Sequence, residues 1–210
     1  RDAQRFRYIE STETAGDIGI SYGTVYDVMD DRDGSIWIAT NQGLYFTSIV
    51  SGSFAVMNII FDRKKNATDI TDILELPNGD FWMASWGEGI QVLDRNLHRV
   101  SHSLYATPVP DTWTAAEKGT IKLTWSLCRQ QSDGLIWVGC NGGTLLLHDP
   151  QQRTTRYLRP PVFANSTVRF ITEDQKGNLW FGTQSGKLVK YQHDRFFEVQ
   201  DFNTIIYKIY

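Results

Sequence analysis

One short pattern recurs four times in this sequence, and that repetition constrains the fold more than any other feature. Each copy begins with a glycine-containing turn, continues through an apolar segment centred on a tryptophan, and ends in two small residues. The four copies are DGSIWIAT from Asp33, NGDFWMAS from Asn78, DGLIWVGC from Asp133 and KGNLWFGT from Lys176. A period of roughly 45 residues, with one longer interval in the middle, indicates a repeat protein built from one supersecondary unit.

Four short strands account for each unit. An apolar stretch such as residues 25–28 or 168–171 has the β-branched and aromatic content of a strand. The glycine turn reverses the chain into the tryptophan strand, and two further strands follow. Because no sustained helical periodicity occurs, radially arranged sheets remain, and the sequence predicts an all-β fold, a β-propeller with four-stranded antiparallel blades.

The repeat also predicts where the blades lie within the segment 1–210. We expect four nearly complete blades with a partial blade at each end. The predicted blades span about residues 24–60, 69–106, 124–159 and 167–200, and the partial strands span residues 5–9 and 204–210.

The repeated residues have a structural interpretation. Four tryptophans at one position inside an apolar strand are better explained as core side chains than as ligand stackers, because each ring can be buried between adjacent blades. The glycines of the preceding turns supply a positive φ. The predicted structural residues are Trp37, Trp82, Trp137 and Trp180, with Gly34, Gly79, Gly134 and Gly177.

Composition narrows the function classes. With 21 basic and 24 acidic residues among 210, the net charge of -3 is too weak and too evenly scattered to argue for nucleic acid or an anionic membrane as a partner. The sequence has no apolar run long enough to span a bilayer and no leader pattern at its amino end. Two cysteines, Cys128 and Cys140, are too few for a disulfide scaffold or a zinc site, and two small buried thiols are the favoured interpretation.

The repeat resembles that of the two-component regulator propeller family. The copy nearest to the family pattern is EDQKGNLWFGT, residues 173–183, and the resemblance extends over about residues 5–209. The pattern departs at Ser85, Cys140 and Lys176.

This resemblance implies a ligand-sensing extracytoplasmic region of a hybrid two-component system sensor histidine kinase of the Bacteroides type. Such a region lies in the periplasm, as the ectodomain of an inner-membrane protein, and detects oligosaccharides that regulate polysaccharide-utilisation genes. The implied partners are an oligosaccharide, the remaining blades, the downstream sensor domains and a second copy in a homodimeric parent. We expect no nucleic acid, cofactor, metal or catalytic activity for this segment.

Antiparallel meanders place the turns after the second and fourth strands on one face of a propeller, and this sorts the candidate binding residues. Sugars are held by aromatic platforms and by amide or carboxylate groups. Trp113 joins the candidates because it lies in an insertion at about residues 101–119. The predicted ligand-binding residues are Trp86, Glu88, Asn141, Asn41, Gln184 and Trp113. The alternatives are that the polar turns only cap strands, and that Trp113 anchors its own loop.

Two other functions compete with ligand sensing. A propeller lyase of the streptogramin-inactivating type would need a catalytic histidine and a metal, and although His98 and His102 are four residues apart, no carboxylate cluster accompanies them. A protein-docking scaffold needs no special motif, so the sequence leaves it open.

Overall fold

The computed structural model describes residues 23–48, 54–57 and 69–209. The chain divides into two compact units, Arg1–Asp69 and Ile70–Tyr210. Every described sheet is an antiparallel meander in which strands that are consecutive in the chain are paired. The predicted partial strand at residues 5–9 lies outside the described residues.

In the first unit, residues 23–48 and 54–57 form one four-stranded sheet. Its strands are β1 (Val25–Asp30), β2 (Ser35–Thr40), β3 (Gly43–Ser48) and β4 (Phe54–Met57). Trp37 is 2% exposed and stacks on Phe46 of the neighbouring strand, with ring centroids 5.1 Å apart. The tryptophan strand therefore forms part of the core of this sheet, as its apolar pattern predicts.

The second unit contains three sheets, of three, four and four strands. The three-stranded sheet has β5 (Ile70–Glu75), β6 (Phe81–Ser85) and β7 (Gly89–Leu93). The next has β8 (Thr124–Arg129), β9 (Ile136–Cys140), β10 (Leu145–Asp149) and β11 (Thr154–Leu158). The last has β12 (Val168–Glu173), β13 (Leu179–Thr183), β14 (Lys187–Gln192) and β15 (Arg195–Asp201). A short helix, α1 (Ala115–Thr120), and two 3-10 turns, Asn141–Gly143 and Pro161–Phe163, complete the unit.

The first strands of these three sheets lie side by side. Thr71 Oγ1 in β5 donates a hydrogen bond of 3.0 Å to the carbonyl of Thr124 in β8. Ser126 Oγ in β8 likewise donates to the carbonyl of Val168 in β12, at 3.4 Å. A Cβ atom on Gly139 would lie 2.9 Å from Val168, so only glycine allows this approach. Meanders packed by their first strands are propeller blades, as the sequence predicts.

The tryptophan of the last sheet differs from the other three. Trp82 and Trp137 are 4% and 1% exposed, whereas Trp180 is only half-buried. Trp137 packs against Phe181 and Tyr191 of the following blade, at centroid distances of 5.7 and 5.0 Å. Trp180 lies in the last described sheet, so the described part of the chain supplies no following blade to cover its ring.

All four predicted turn glycines have a positive φ.

The second blade, predicted at about residues 69–106, has three strands, β5 to β7, and a short edge contact in place of a fourth. A bridge pairs Leu93 with Arg99, and the Val100 amide donates to the Val92 carbonyl at 3.0 Å. Beyond that point side chains replace the missing strand. Tyr105 Oη accepts the Ile90 N–H at 2.9 Å, and His102 Nε2 lies 3.0 Å from the Ile90 carbonyl. The insertion leaves the edge of β7 after Val100, and these two rings satisfy the edge backbone that a strand would have paired.

The predicted strand at residues 204–210 does not form either, and its residues up to 209 have no strand partner. Ile206 nevertheless occupies the place of a first strand. Its amide donates to the Thr183 carbonyl at 3.1 Å, and its side chain covers Gly182 as Val168 covers Gly139.

Candidate ligand-binding face

The turn between β6 and β7 is held against the segment that enters β8. The amides of Gly87 and Gly89 both donate to the carbonyl of Lys122, at 2.9 and 3.0 Å. Trp86 forms an isolated antiparallel bridge with Leu123. This backbone clasp fixes the turn, so the side chains of residues 86 and 88 are presented from a defined position.

Four side chains from successive blade positions make a series of ring and cation contacts, which we call the aromatic row. Trp86, 38% exposed, lies against Trp125 with ring centroids 4.9 Å apart. The Arg169 guanidinium lies 3.5 Å from the Trp125 centroid and 5.7 Å from that of Tyr207. Tyr207 is 66% exposed. The row therefore presents aromatic surface at both ends, with a cation packed between rings.

A repeated β-bulge produces the aromatic row. In β8, Thr124 pairs with Cys140 and Ser126 with Gly139, so Trp125 is an extra residue opposite the partner strand. The same shift makes Arg169 the extra residue of β12. A bulge re-aims the side chain of its extra residue. Tyr207 follows Ile206 as Arg169 follows Val168, so these two residues and Trp125 occupy one repeat position in consecutive blades, and Trp86 contacts Trp125 from the turn before β7.

Two of the predicted binding residues have structural partners instead. The side-chain oxygen of Asn141 accepts a hydrogen bond from the Thr167 hydroxyl, and its backbone N–H donates to the Leu123 carbonyl at 2.9 Å. Asn41 Oδ1 accepts two backbone bonds of 3.0 Å at the entry to β1, within the first unit. The side chain of Gln184 is exposed. For Asn41 the geometry favours the capping alternative that the sequence left open, whereas the Asn141 side chain has a hydroxyl partner.

Glu88 lies beside a lysine that sequence reasoning did not single out. The Lys122 ammonium group lies 3.8 Å from the Tyr105 ring centroid. Partial burial lowers the pKa of Lys122, and the negative charge of Glu88 opposes that shift. The turn at residues 86–89 therefore separates an aromatic surface from a cationic one.

Trp113 anchors the insertion that contains it. Its ring meets Tyr157 edge-on, with centroids 6.1 Å apart, and the Arg159 guanidinium lies 5.6 Å from its centroid. Arg159 also pairs with Glu117 of α1 at 3.2 Å. Glu117 completes a capping box with Thr114. These contacts tie the insertion to β11.

The histidines and cysteines do not converge. His98 is largely exposed, 3.8 Å from Asp94, whereas His102 is packed against Trp82. Within the described ranges, no group of three or more His, Cys, Asp and Glu side chains could hold a metal ion. Cys128 and Cys140 are free thiols, and they are not cross-strand neighbours, because Cys128 lies opposite Trp137 and Cys140 opposite Thr124. Burial raises the pKa of Cys128 to about 12. No helix in the described part of the chain is long and apolar enough to cross a membrane.

Sequence reasoning missed Trp125, Arg169 and Tyr207. The available signal was their shared repeat position, the second residue of each first strand, which Thr71 occupies in the second blade. That position was assigned to strands, whose side chains alternate between two faces. The bulge that breaks the alternation depends on the pairing of two strands.

Comparison with known proteins agrees with the repeat and the fold. The profile of the two-component regulator propeller family matches residues 19–42 and 163–185. No curated protein matches the sequence.

Among solved structures, the extracellular domain of a hybrid two-component system from B. thetaiotaomicron superposes with a TM-score of 0.68 and 22% identity, over 90% of this chain and 25% of that one. A second such domain from B. thetaiotaomicron gives 0.68 and 18%, over 94% and 26%. The β-propeller domain of Cps50 (Swd1) from Myceliophteria thermophila gives 0.58 and 13%, over 86% and 57%. At these identities the likeness shows a shared fold, and it confirms the predicted propeller. The chain spans about a quarter of the length of the two B. thetaiotaomicron domains.

Proposed function

We propose that this chain, whose repeats belong to the two-component regulator propeller family, is a ligand-sensing region of a hybrid two-component sensor histidine kinase. The region is periplasmic, it detects oligosaccharides, and occupancy regulates genes for polysaccharide use. The fold shared with two extracellular domains of such systems supports the assignment to a sensor.

The observation that carries the ligand is the aromatic row. Exposed rings supply the flat apolar surface against which the C–H face of a sugar packs, and Arg169 supplies donors for hydroxyl groups. Trp86 and Tyr207 are among the few large hydrophobic side chains that the second unit leaves exposed. A rigid backbone clasp holds Trp86 at the edge of this surface, which suits a preformed site.

Calorimetry of the full-length protein with a panel of oligosaccharides tests this proposal. We expect saturable binding of one glycan class, weakened about tenfold or more by Trp86→Ala and largely retained by Trp86→Phe, since the loss of a stacking platform costs about 1.4 kcal/mol or more. Phe197→Ala is the matched control, because Phe197 is also an exposed ring, 47% accessible, but lies on β15. Binding that is insensitive to Trp86→Ala would contradict the assignment of the site.

A protein-docking scaffold is the second candidate, and one observation favours it. Phe197 and Val199 on β15 and Phe202 just beyond it are exposed to 47%, 49% and 54%. Adjacent exposed apolar side chains of this kind mark interaction surfaces. Absence of binding by every saccharide of the panel would favour the docking role over the sensor role.

A further inference from the structure

A polar pocket of about 500 Å³ opens at the incomplete edge of the second blade. It exists because β7 has no fourth-strand partner beyond Val100 and the insertion passes over the gap. Its wall combines β7, the start of the insertion and the segment entering β8. The residues that matter here are Ile90, Gln91, Arg99, His102, Tyr105 and Lys122.

The charged side chains that line this pocket are both cationic. Arg99 and Lys122 contribute two cations to the lining, and none of the described lining residues carries a carboxylate. The Lys122 ammonium group lies 3.8 Å from the Tyr105 ring centroid, and the carboxylate that acts on it, Glu88, belongs to the adjoining turn and not to the lining. His102 and Tyr105 direct polar groups to the Ile90 backbone, which holds this wall in place. A preformed concave site with convergent cations suits an anionic group.

The pocket adjoins the aromatic row. Trp86 belongs to the aromatic row and begins the turn at residues 86–89. Ile90, which follows that turn, lines the pocket. Lys122 joins the two regions, since its carbonyl holds the turn and its side chain lines the pocket. A saccharide seated on Trp86 therefore has a cationic pocket beside it.

We propose that the pocket is an anionic subsite, so that the ligand of this face is an acidic saccharide whose carboxylate or sulfate group is held by Lys122 and Arg99. This inference rests on the proposed function, because it adds a charge requirement to the same saccharide site. It predicts discrimination by charge between sugars of equal shape.

Calorimetry of the full-length protein with three matched probes tests the inference. The probes are short oligogalacturonides, the same oligosaccharides after reduction of their carboxyl groups, and sulfated galacto-oligosaccharides of equal length. We expect at least one acidic probe to bind about tenfold more tightly than the neutral one, the size of one or two charge-assisted hydrogen bonds. That preference should shrink as salt is added, because the cations are partly exposed. Whichever acidic probe is preferred identifies the anion as carboxylate or sulfate.

Charge-removing variants locate the discrimination. Lys122→Gln and Arg99→Gln should each reduce the preference for the acidic probe, and the double variant should bind the acidic and the neutral probe with equal affinity. Lys176→Gln is the control, because Lys176 is exposed on the glycine turn before β13. Equal affinities for neutral and acidic probes would overturn the anionic subsite and leave the saccharide sensor intact. Absence of binding by all three, and by the wider panel, would overturn both.

Discussion

The indole Nε1 of Trp180 donates a hydrogen bond of 2.9 Å to Oδ2 of Asp174, six residues earlier in the same hairpin. The carboxylate also accepts the backbone N–H groups of Lys176 and Asn178 at 2.9 Å. These bonds, led by the one from Trp180, hold the pKa of Asp174 well below its usual range. In the first blade Trp37 makes the same bond to Asp31 at 2.7 Å. In the first and last blades the spacing of acid, glycine and tryptophan is therefore the spacing of one hydrogen-bonded hairpin.

Removal of this acid should loosen its hairpin. We expect Asp174→Ala to lower the Tm of the protein, because the turn amides and the indole N–H lose their shared acceptor. Asp111→Ala is the control, since Asp111 is fully exposed and meets only Lys118, at 3.8 Å. Equal Tm values for the two variants in differential scanning calorimetry would contradict the structural role of Asp174.

The glycines of the tryptophan strands permit close approach between blades. A Cβ atom on Gly182 would lie 2.5 Å from Ile206 Cγ2. We expect Gly182→Ala to reduce the free energy of unfolding by about 1 to 3 kcal/mol, the cost of overpacking.

The matched control is Gly119→Ala in the insertion, where an added Cβ meets no atom within 4 Å. Because Gly119 lies in α1, alanine there should leave stability unchanged or raise it by up to about 1 kcal/mol. Chemical denaturation of both variants measures the difference, and equal effects would argue against tight packing at Gly182.

The hydroxyl of Tyr105 substitutes for a missing strand, so its loss should be costly. Tyr105→Phe leaves the N–H of Ile90 without the acceptor it has at 2.9 Å. We expect a loss of about 1 to 3 kcal/mol in the free energy of unfolding. Tyr191→Phe removes a hydroxyl that bonds the exposed Asp194, and it should cost less. If urea denaturation gave equal losses for both, a neighbouring group would have to satisfy the edge of β7.

Two histidines on either side of Trp82 should make stability depend on pH. Burial lowers the pKa values of His102 and His148; Lys122 and Arg99 lower that of His102 further, and His102 lowers that of His148. In the unfolded chain both groups titrate near pH 6.5. Between pH 6.5 and their lowered pKa values the folded protein binds fewer protons than the unfolded chain, so their contribution is complete above about pH 6.5 and is lost as the pH falls from that value through the lowered pKa values of the folded state.

The free energy of unfolding, measured at several pH values through this window, checks the prediction. His102→Gln with His148→Gln should flatten the pH dependence, whereas His193→Gln, at an exposed turn, should leave it intact. An unchanged slope in the double variant would assign the dependence to other groups.

The repeat made most of the fold predictable, because its glycine turns and apolar strands are local patterns. Trp37, Trp82 and Trp137 are buried as their positions in the repeat indicate. The second blade has a shorter edge than its neighbours because the side chains of His102 and Tyr105 bond the backbone of Ile90, as a strand would. Sequence periodicity cannot predict this substitution of side chains for a strand.

The binding face was predicted in part. Trp86 follows from the turn order of a meander, and it is exposed. Asn141 and Asn41 have the same turn positions and residue types suited to sugars, but short polar side chains also serve as structural acceptors. Asn41 caps two backbone amides, and Asn141 accepts the hydroxyl of Thr167. Trp125 and Arg169 depend on the bulges in β8 and β12, which are set by pairing between strands.

The most direct test of the account is hydrogen–deuterium exchange of the full-length protein with and without a saturating saccharide. We expect protection to rise at residues 86–90 and 122–126 and at the start of β12, where the aromatic row and its backbone clasp lie. Protection confined to β15 or to the glycine turn at residues 174–178 would contradict a saccharide site on this face.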